Sequence, residues 1–130
     1  AVGRMEYLWR YCAARDNPVA TTPATTGANR MTFEQFRNNV ESWAEVRGIY
    51  EHSTKHAQAL KAVSEIGELA DAVIKGDQAA LQDAIGDVIV CLVNLSVMSG
   101  LDINECCESA WLEIAQRKGK MVAGGAFVKE

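Results

Sequence analysis

The stretch KAVSEIGELADAVIKGDQAALQDAIGDVIVCLVNL, residues 61–95, decides the fold. Its first part repeats apolar residues at three- and four-residue steps, which is the period of a helix with one buried face. Lys75-Gly76-Asp77 then has the composition of a helix end followed by a new N-cap. The second part is apolar almost throughout and ends at Ser99-Gly100. Because so short a loop joins the two helices, the sequence predicts an antiparallel helical hairpin that turns at Gly76.

Acidic residues of the two helices come together if the chain turns at Gly76. Glu65 and Glu68 are three residues apart and share one face of the first helix. Asp83 and Asp87 are four apart and share one face of the second. Glu65 and Asp87 are equally distant in sequence from Gly76, so they face each other, and Glu68 faces the neighbourhood of Asp83. At the helical rise, Glu65 and Asp87 lie roughly 16 Å from the turn, and Glu68 and Asp83 roughly 10–12 Å from it.

This carboxylate set predicts a site for a hard divalent cation. An ionised Asp87 within the run IGDVIVCLV costs on the order of several kcal/mol unless it is paired or bound to metal. Clustered carboxylates that leave room for water suit Mg²⁺, with Mn²⁺ as the alternative, better than Zn²⁺. We predict Glu65, Glu68 and Asp87 as catalytic groups and metal ligands, with Asp83 as a further ligand. The alternative for Glu65 and Glu68 alone is a solvated acidic face.

The rest of the sequence predicts an all-α fold, a four-helix bundle with a short β-prone C-terminal tail. The predicted helices run over about 32–48, 53 or 55 to 74, 77–99 and 102–118. The first begins at a capping box formed by Thr32 and Gln35, and the last at Asp102. The tail KMVAGGAFVKE, residues 120–130, predicts a small hairpin.

The third predicted helix also indicates self-association. It is apolar on nearly all sides and must be covered on nearly all sides, which four helices of this length cannot do within one monomer. We therefore predict a homodimer or homotetramer. The longest apolar run, Ile85–Met98, is too short to span a bilayer, so we predict a buried helix and no membrane partner.

The composition of the chain bears on its cellular location and on the partners that it binds. Net charge is −4, and no basic stripe is interleaved with aromatic residues, so a nucleic acid polymer is not a predicted partner. The four cysteines have neither CxxC nor zinc spacing and favour a reduced, cytoplasmic setting. Residues 1–30 include both prolines and a short helical stretch, Met5–Ala14. We interpret residues 1–30 as an N-terminal extension and linker, partly derived from cloning, and residues 31–130 as the domain.

The stretches KAVSEIGELADAV (61–73) and DAIGDVIVCLVNL (83–95) resemble the MazG-like, all-α nucleoside triphosphate pyrophosphohydrolases. The tail from residue 100 onward is similar to that of the small phage-type members. The resemblance implies an oligomeric helical bundle that uses Mg²⁺ to cleave a (d)NTP into a (d)NMP and pyrophosphate. In the family pattern EExxE…ExxD, Glu65, Glu68 and Asp87 match, whereas Ser64 and Ala84 stand where the pattern has Glu.

Four further residues are candidates for substrate binding, and each has a structural alternative. Lys61 could bind a phosphate oxygen or orient a carboxylate, and the alternative is a solvent-exposed lysine without a role in the site. Asn94 suits a ribose or base edge, or a hydrogen bond between helices. Arg117 and Lys118 suit the triphosphate, or stabilise the end of the last helix through its dipole. The alternative function is a non-catalytic nucleotide-binding or helical interaction module with a degenerate site.

Overall fold

The computed structural model describes residues 30–130, which form five helices and two short strands. These are α1 (Phe33–Val46), α2 (Ile49–His52), α3 (Lys55–Lys75), α4 (Gln78–Met98), α5 (Ile103–Ala115), β1 (Gly119–Met121) and β2 (Phe127–Lys129). The predicted all-α class with a β-prone tail is confirmed. The predicted helix at Met5–Ala14 lies outside the described residues.

The chain divides into two units, one ending at Ile49 and the other comprising Tyr50–Glu130. Helix α1 belongs to the first and begins at the predicted capping box. The Thr32 hydroxyl accepts from the Gln35 amide at 3.1 Å, and the Gln35 side chain accepts from the Thr32 amide at 2.9 Å. The domain boundary between residues 30 and 31 stays a prediction.

The second unit is built on the hairpin of α3 and α4, which supplies most of its contacts between elements. Thr54 caps α3 by accepting from the Ala57 amide at 3.0 Å, and Asp77 caps α4 by accepting from the Ala80 amide at 3.0 Å. Between the helices, Gly76 adopts φ 68°, a left-handed conformation that L side chains adopt only with strain. The predicted turn at Gly76 is therefore confirmed.

Most residues buried along this hairpin are small. Helix α3 buries Ala62 and Ala72 together with Glu65, and helix α4 buries Ala84 among others. The largest fully buried side chain of the described residues is Val93, with 0% exposure. Small side chains let two helix backbones approach closely, so the interior of this unit is thin and depends on the α3–α4 contact.

Helix α4 is longer than the apolar run within it. It has 21 residues, its most apolar window has a mean hydropathy of 1.6, and 28% of that window is buried in the chain. By length and composition alone, α4 could cross a membrane, which is weak evidence, so the absence of a membrane partner stays a prediction. The core helix of a soluble protein passes the same test.

Helix α5 and the tail differ slightly from the prediction. Asp102 caps α5 as predicted, but the helix ends at Ala115 and not at Lys118. Strands β1 and β2 then pair antiparallel and confirm the predicted hairpin. Gly119 lies so close to β2 that an added Cβ would be 2.4 Å from the Val128 carbonyl oxygen. A side chain at residue 119 would thus force the two strands apart.

A prediction follows for the turn of the hairpin. Gly76→Ala should lower the free energy of unfolding by about 1–2 kcal/mol, because alanine pays a steric penalty at positive φ. The measurement is equilibrium unfolding in urea.

The matched control is Gly67→Ala, inside α3, where an added Cβ meets nothing within 4 Å. This variant should be unchanged or more stable, because alanine favours a helix interior over glycine. Equal losses in both variants would show that Gly76 is not a conformational requirement.

Candidate active site

Glu65 is the buried carboxylate of the hairpin, with 4% of its surface exposed. The Lys61 ammonium contacts its Oε1 from one turn earlier on α3. Within the described part of the chain, its Oε2 is buried and has no hydrogen-bond partner. A buried acceptor left in this state costs about 1–3 kcal/mol. Glu65 therefore has one oxygen engaged by a cation and one buried oxygen that no described group satisfies.

The electrostatic neighbours of Lys61 and Cys91 define the surroundings of this carboxylate. The pKa of Lys61 is raised above 10.5, mainly by its hydrogen bond to Glu65 and then by the charge of Glu65, with smaller contributions from Cys91 and Glu68. The pKa of the Cys91 thiol is raised above 9.0, first by burial and then by Glu65, with a further rise from Asp87. Lys61 and Cys91 therefore each lie in the electrostatic field of Glu65, with Glu68 acting on Lys61 and Asp87 acting on Cys91.

This grouping fits the predicted register of the two helices. Lys61 and Cys91 are equally distant in sequence from Gly76, and so are Glu65 and Asp87. Lys61 and Cys91, which this rule pairs, influence one another across the hairpin. An antiparallel hairpin with its turn centred on Gly76 produces this pairing without any further adjustment.

The other predicted carboxylates face solvent. Glu68 and Asp87 are both exposed, so the burial expected for Asp87 from its apolar run is wrong. Asp83 is also exposed, whereas its neighbour Ala84 is 4% exposed. Successive helical residues differ by about 100° in direction, so Asp83 is out of phase with the buried face that Ala84 occupies.

No preformed metal cluster is present in residues 30–130: their His, Cys, Asp and Glu side chains form no group of three or more that could hold an ion. Metal binding by Glu65, Glu68, Asp83 and Asp87 therefore stays a prediction.

Asn94 is buried, with 2% exposure, and its Oδ1 accepts a hydrogen bond from the Tyr50 hydroxyl at 2.9 Å. This bond joins α2 to α4 within the second unit. It corresponds to the structural alternative for Asn94, because the carbonyl oxygen already has a protein partner. Its role in substrate binding stays a prediction.

Arg117 and Lys118 lie in the segment between α5 and β1, not at the end of a longer helix. The Arg117 guanidinium forms an ion pair with Glu113 at 2.5 Å, one turn earlier. The Lys118 carbonyl accepts from the Glu130 amide at 3.1 Å, beyond the end of β2. Their predicted contact with a triphosphate is untested.

Two residues of this region were missed by the sequence reasoning. Cys91 was considered only as a disulfide or zinc candidate, although its place opposite Lys61 follows from the Gly76 register. Tyr50 was not singled out, because residues 49–52 were not predicted to be helical. The position of Asn94 in an apolar helix indicates that its side chain needs a hydrogen-bond partner, but it does not identify Tyr50 as that partner.

Comparisons with known proteins agree with this hairpin. The family model of the MazG nucleotide pyrophosphohydrolase domain matches residues 53–122, more than half of the chain. The chain therefore belongs to the MazG nucleotide pyrophosphohydrolase domain family. The family is described as a nucleotide pyrophosphohydrolase domain, a kind of hydrolase.

A curated relative carries the same segment. An uncharacterized 18.2 kDa protein from the rep-hol intergenic region of Haemophilus phage HP1 (strain HP1c1) is 38% identical over 70 residues. The match covers 54% of this chain and 43% of the phage protein, so the chain spans less than half the length of this relative. No solved structure matches the chain significantly.

The environment of Cys91 predicts a difference in thiol reactivity. Cys91 is buried, and its pKa is raised above the ordinary thiol value of 9.0. Its thiol therefore stays protonated at neutral pH. Cys106 and Cys107 are exposed. At about pH 7.5, iodoacetamide should modify Cys106 and Cys107 at least about tenfold faster than Cys91, because the thiolate is the nucleophile. Peptide mass spectrometry gives the three rates.

Unfolding in urea is the control for this comparison, because it should bring the three rates close together. Rapid labelling of Cys91 in the folded protein would contradict its burial between the helices.

Proposed function

We propose that this chain is a Mg²⁺-dependent nucleoside triphosphate pyrophosphohydrolase that converts a (d)NTP to a (d)NMP and pyrophosphate. The observation that carries the proposal is Glu65, a buried carboxylate with one oxygen lacking a protein partner, on a hairpin whose family hydrolyses nucleotides. A cytoplasmic location accords with a nucleotide substrate and with the free thiols of Cys91, Cys106 and Cys107.

The donor set fits a hard cation. Glu65 offers its free Oε2, and the exposed carboxylates of Glu68 and Asp87 lie on the two helices that flank it. Glu65, Glu68 and Asp87 would hold Mg²⁺, with Mn²⁺ as a substitute, because hard cations prefer carboxylate oxygens. Asp83 is a weaker candidate, since it is out of phase with Ala84. When bound, Mg²⁺ supplies positive charge to phosphate oxygens and lowers the pKa of a coordinated water.

The chain's own groups would bind the phosphates and move the proton. An exposed carboxylate, Glu68 or Asp87, would accept the proton of the water that attacks the α-phosphorus. Lys61, Arg117 and Lys118 would neutralise the phosphate chain, which leaves as pyrophosphate. Arg117 would first have to exchange its partner Glu113 for a phosphate, as bidentate guanidinium groups readily do.

We also propose that the chain acts as a homodimer or homotetramer. Helix α3 has a second apolar face, formed by Leu60, Val63 and Ile74, which are 70%, 64% and 82% exposed. On α4, Ile85 and Leu92 are 47% and 42% exposed. Exposed apolar side chains that recur at helical steps mark an association surface. A second copy offers the same surfaces, and closed symmetric pairing is the commonest form of self-association.

The alternative function is a nucleotide-binding module that has lost hydrolysis. Ser64 and Ala84 favour it, since both stand where the family pattern has glutamate and leave fewer carboxylates for metal. Retention of Glu65, Glu68 and Asp87 favours the enzyme. Turnover decides between the two.

The first test of this function is pyrophosphate release from a panel of (d)NTPs in the presence of Mg²⁺. The wild type should release pyrophosphate from at least one of them. Glu68→Ala and Asp87→Asn should each lower kcat/KM by about 10²-fold or more, since each removes a carboxylate proposed to hold Mg²⁺ or to accept the proton of the attacking water.

The matched control is Asp71→Asn, which removes an exposed carboxylate of α3 that pairs with Lys75 at 2.9 Å. It should leave activity within about twofold of the wild type. Nucleotide binding without pyrophosphate at any Mg²⁺ concentration would support the binding module. Equal losses in all three variants would indicate a general charge effect and not a site.

The oligomer has its own test, by light scattering coupled to gel filtration. The wild type should have two or four times the mass of one chain, and Val63→Arg should shift the mass toward the monomer, because a charge on the apolar face must be desolvated. Glu51→Arg places the same charge on an exposed side chain of α2 and should leave the mass unchanged. A monomeric wild type would overturn the oligomer.

A further inference from the structure

Lys61 and Glu65 form an unusual ion pair. The Glu65 side chain is 5% exposed whereas that of Lys61 is 57% exposed, so a surface ammonium reaches down to a buried carboxylate. Only Oε1 of Glu65 is engaged, and Oε2 is left without a hydrogen bond among the described residues. Lys61 therefore supplies a positive charge that compensates the buried Glu65 carboxylate, but it leaves Oε2 without a hydrogen bond.

A second pair on the same helix gives the comparison. Lys75 and Asp71 are also four residues apart, but both side chains are exposed, 68% and 65%, and the acid precedes the base. That order is the one that stabilises an isolated helix best. Lys61 precedes Glu65, the less favourable order, so helix stability alone does not account for this pair. Its distinguishing feature is the burial of its carboxylate.

We propose that Lys61 is the resident counter-ion of Glu65, and that it competes with a divalent cation for this carboxylate. The proposal rests on the proposed function, because it takes Glu65 as a metal ligand. Two cations cannot both lie against one carboxylate without repelling each other, and Lys61 is flexible and exposed enough to leave. Lys61 is thus a positioning residue: it holds Glu65 ready in the hairpin and yields its place when a metal ion binds.

The proximity of Glu68 strengthens this competition. Glu68 lies one turn after Glu65 on α3, and its charge makes a small contribution to the raised pKa of Lys61. The ammonium therefore lies in the field of both glutamates that would bind the metal. Removing it should increase the affinity of the pair for a divalent cation, because the repelling charge is gone.

The experiment measures Mn²⁺ binding by calorimetry, without nucleotide, on the full chain after treatment with a chelator. Lys61→Met keeps the aliphatic stem and removes the charge. It should bind Mn²⁺ about three- to tenfold more tightly than the wild type, and melt at a lower temperature before Mn²⁺ is added. Saturating Mn²⁺ should remove most of that difference in melting temperature.

Two controls make the result specific to this pair. Lys75→Met removes the charge of the exposed pair and should leave Mn²⁺ affinity unchanged. Lys61→Arg keeps the charge and should bind Mn²⁺ like the wild type, and it serves as a folded variant if Lys61→Met is unstable. Restoration of wild-type affinity by arginine is a result that packing alone would not give.

The outcomes separate this proposal from the proposed function. If the wild type binds Mn²⁺ and Lys61→Met binds it equally or more weakly, the counter-ion proposal is overturned while the metal site stands. If Lys75→Met gains affinity as much as Lys61→Met, the effect is general electrostatics and the proposal also fails. If the wild type binds no Mn²⁺, both the metal site and the counter-ion role are wrong.

Discussion

The close approach of α3 and α4 is the constraint on which the rest of the second unit depends. Ala62, Ala72 and Ala84 are buried along these helices, and their small side chains keep the two backbones near each other. Only at this separation can Glu65 be shielded from water by a neighbouring helix while Lys61 reaches it from the surface. A wider hairpin would hydrate Glu65, and its free oxygen would become an ordinary solvated acceptor.

The sequence predicts those parts of the fold that depend on local chemistry. The capping residues Thr32, Asp77 and Asp102 act within one turn of their own helices, so their effect can be deduced without tertiary structure. The glycine of the turn likewise reflects a backbone conformation that few other residues adopt. The sequence does not predict the short helix α2 or the early end of α5. Each involves about one helical turn, and over so few residues helical and non-helical conformations have similar free energies.

The orientation of side chains was less predictable, and the carboxylates show why. Asp87 lies in a run that is apolar on all sides, and such a run carries no information about which side faces the neighbouring helix. Glu65 lies on an amphipathic helix among exposed polar residues, yet it is the one that points into the hairpin. The register that pairs Glu65 with Asp87 is a deduction from the position of the turn, whereas the burial of Glu65 depends on the packing of α4 against α3.

The length of the loop at Gly76 has a consequence for how this chain can diverge. Each residue added there as part of a longer α4 would move Asp87 about 1.5 Å farther along the axis of α4 and rotate its direction by about 100°. A single insertion would therefore carry Asp87 away from Glu65 even if both helices stayed intact. An insertion of about four residues, close to one helical turn, would restore the direction of Asp87 but move it along the helix axis. We expect homologous chains to tolerate substitutions in this loop more readily than changes of its length.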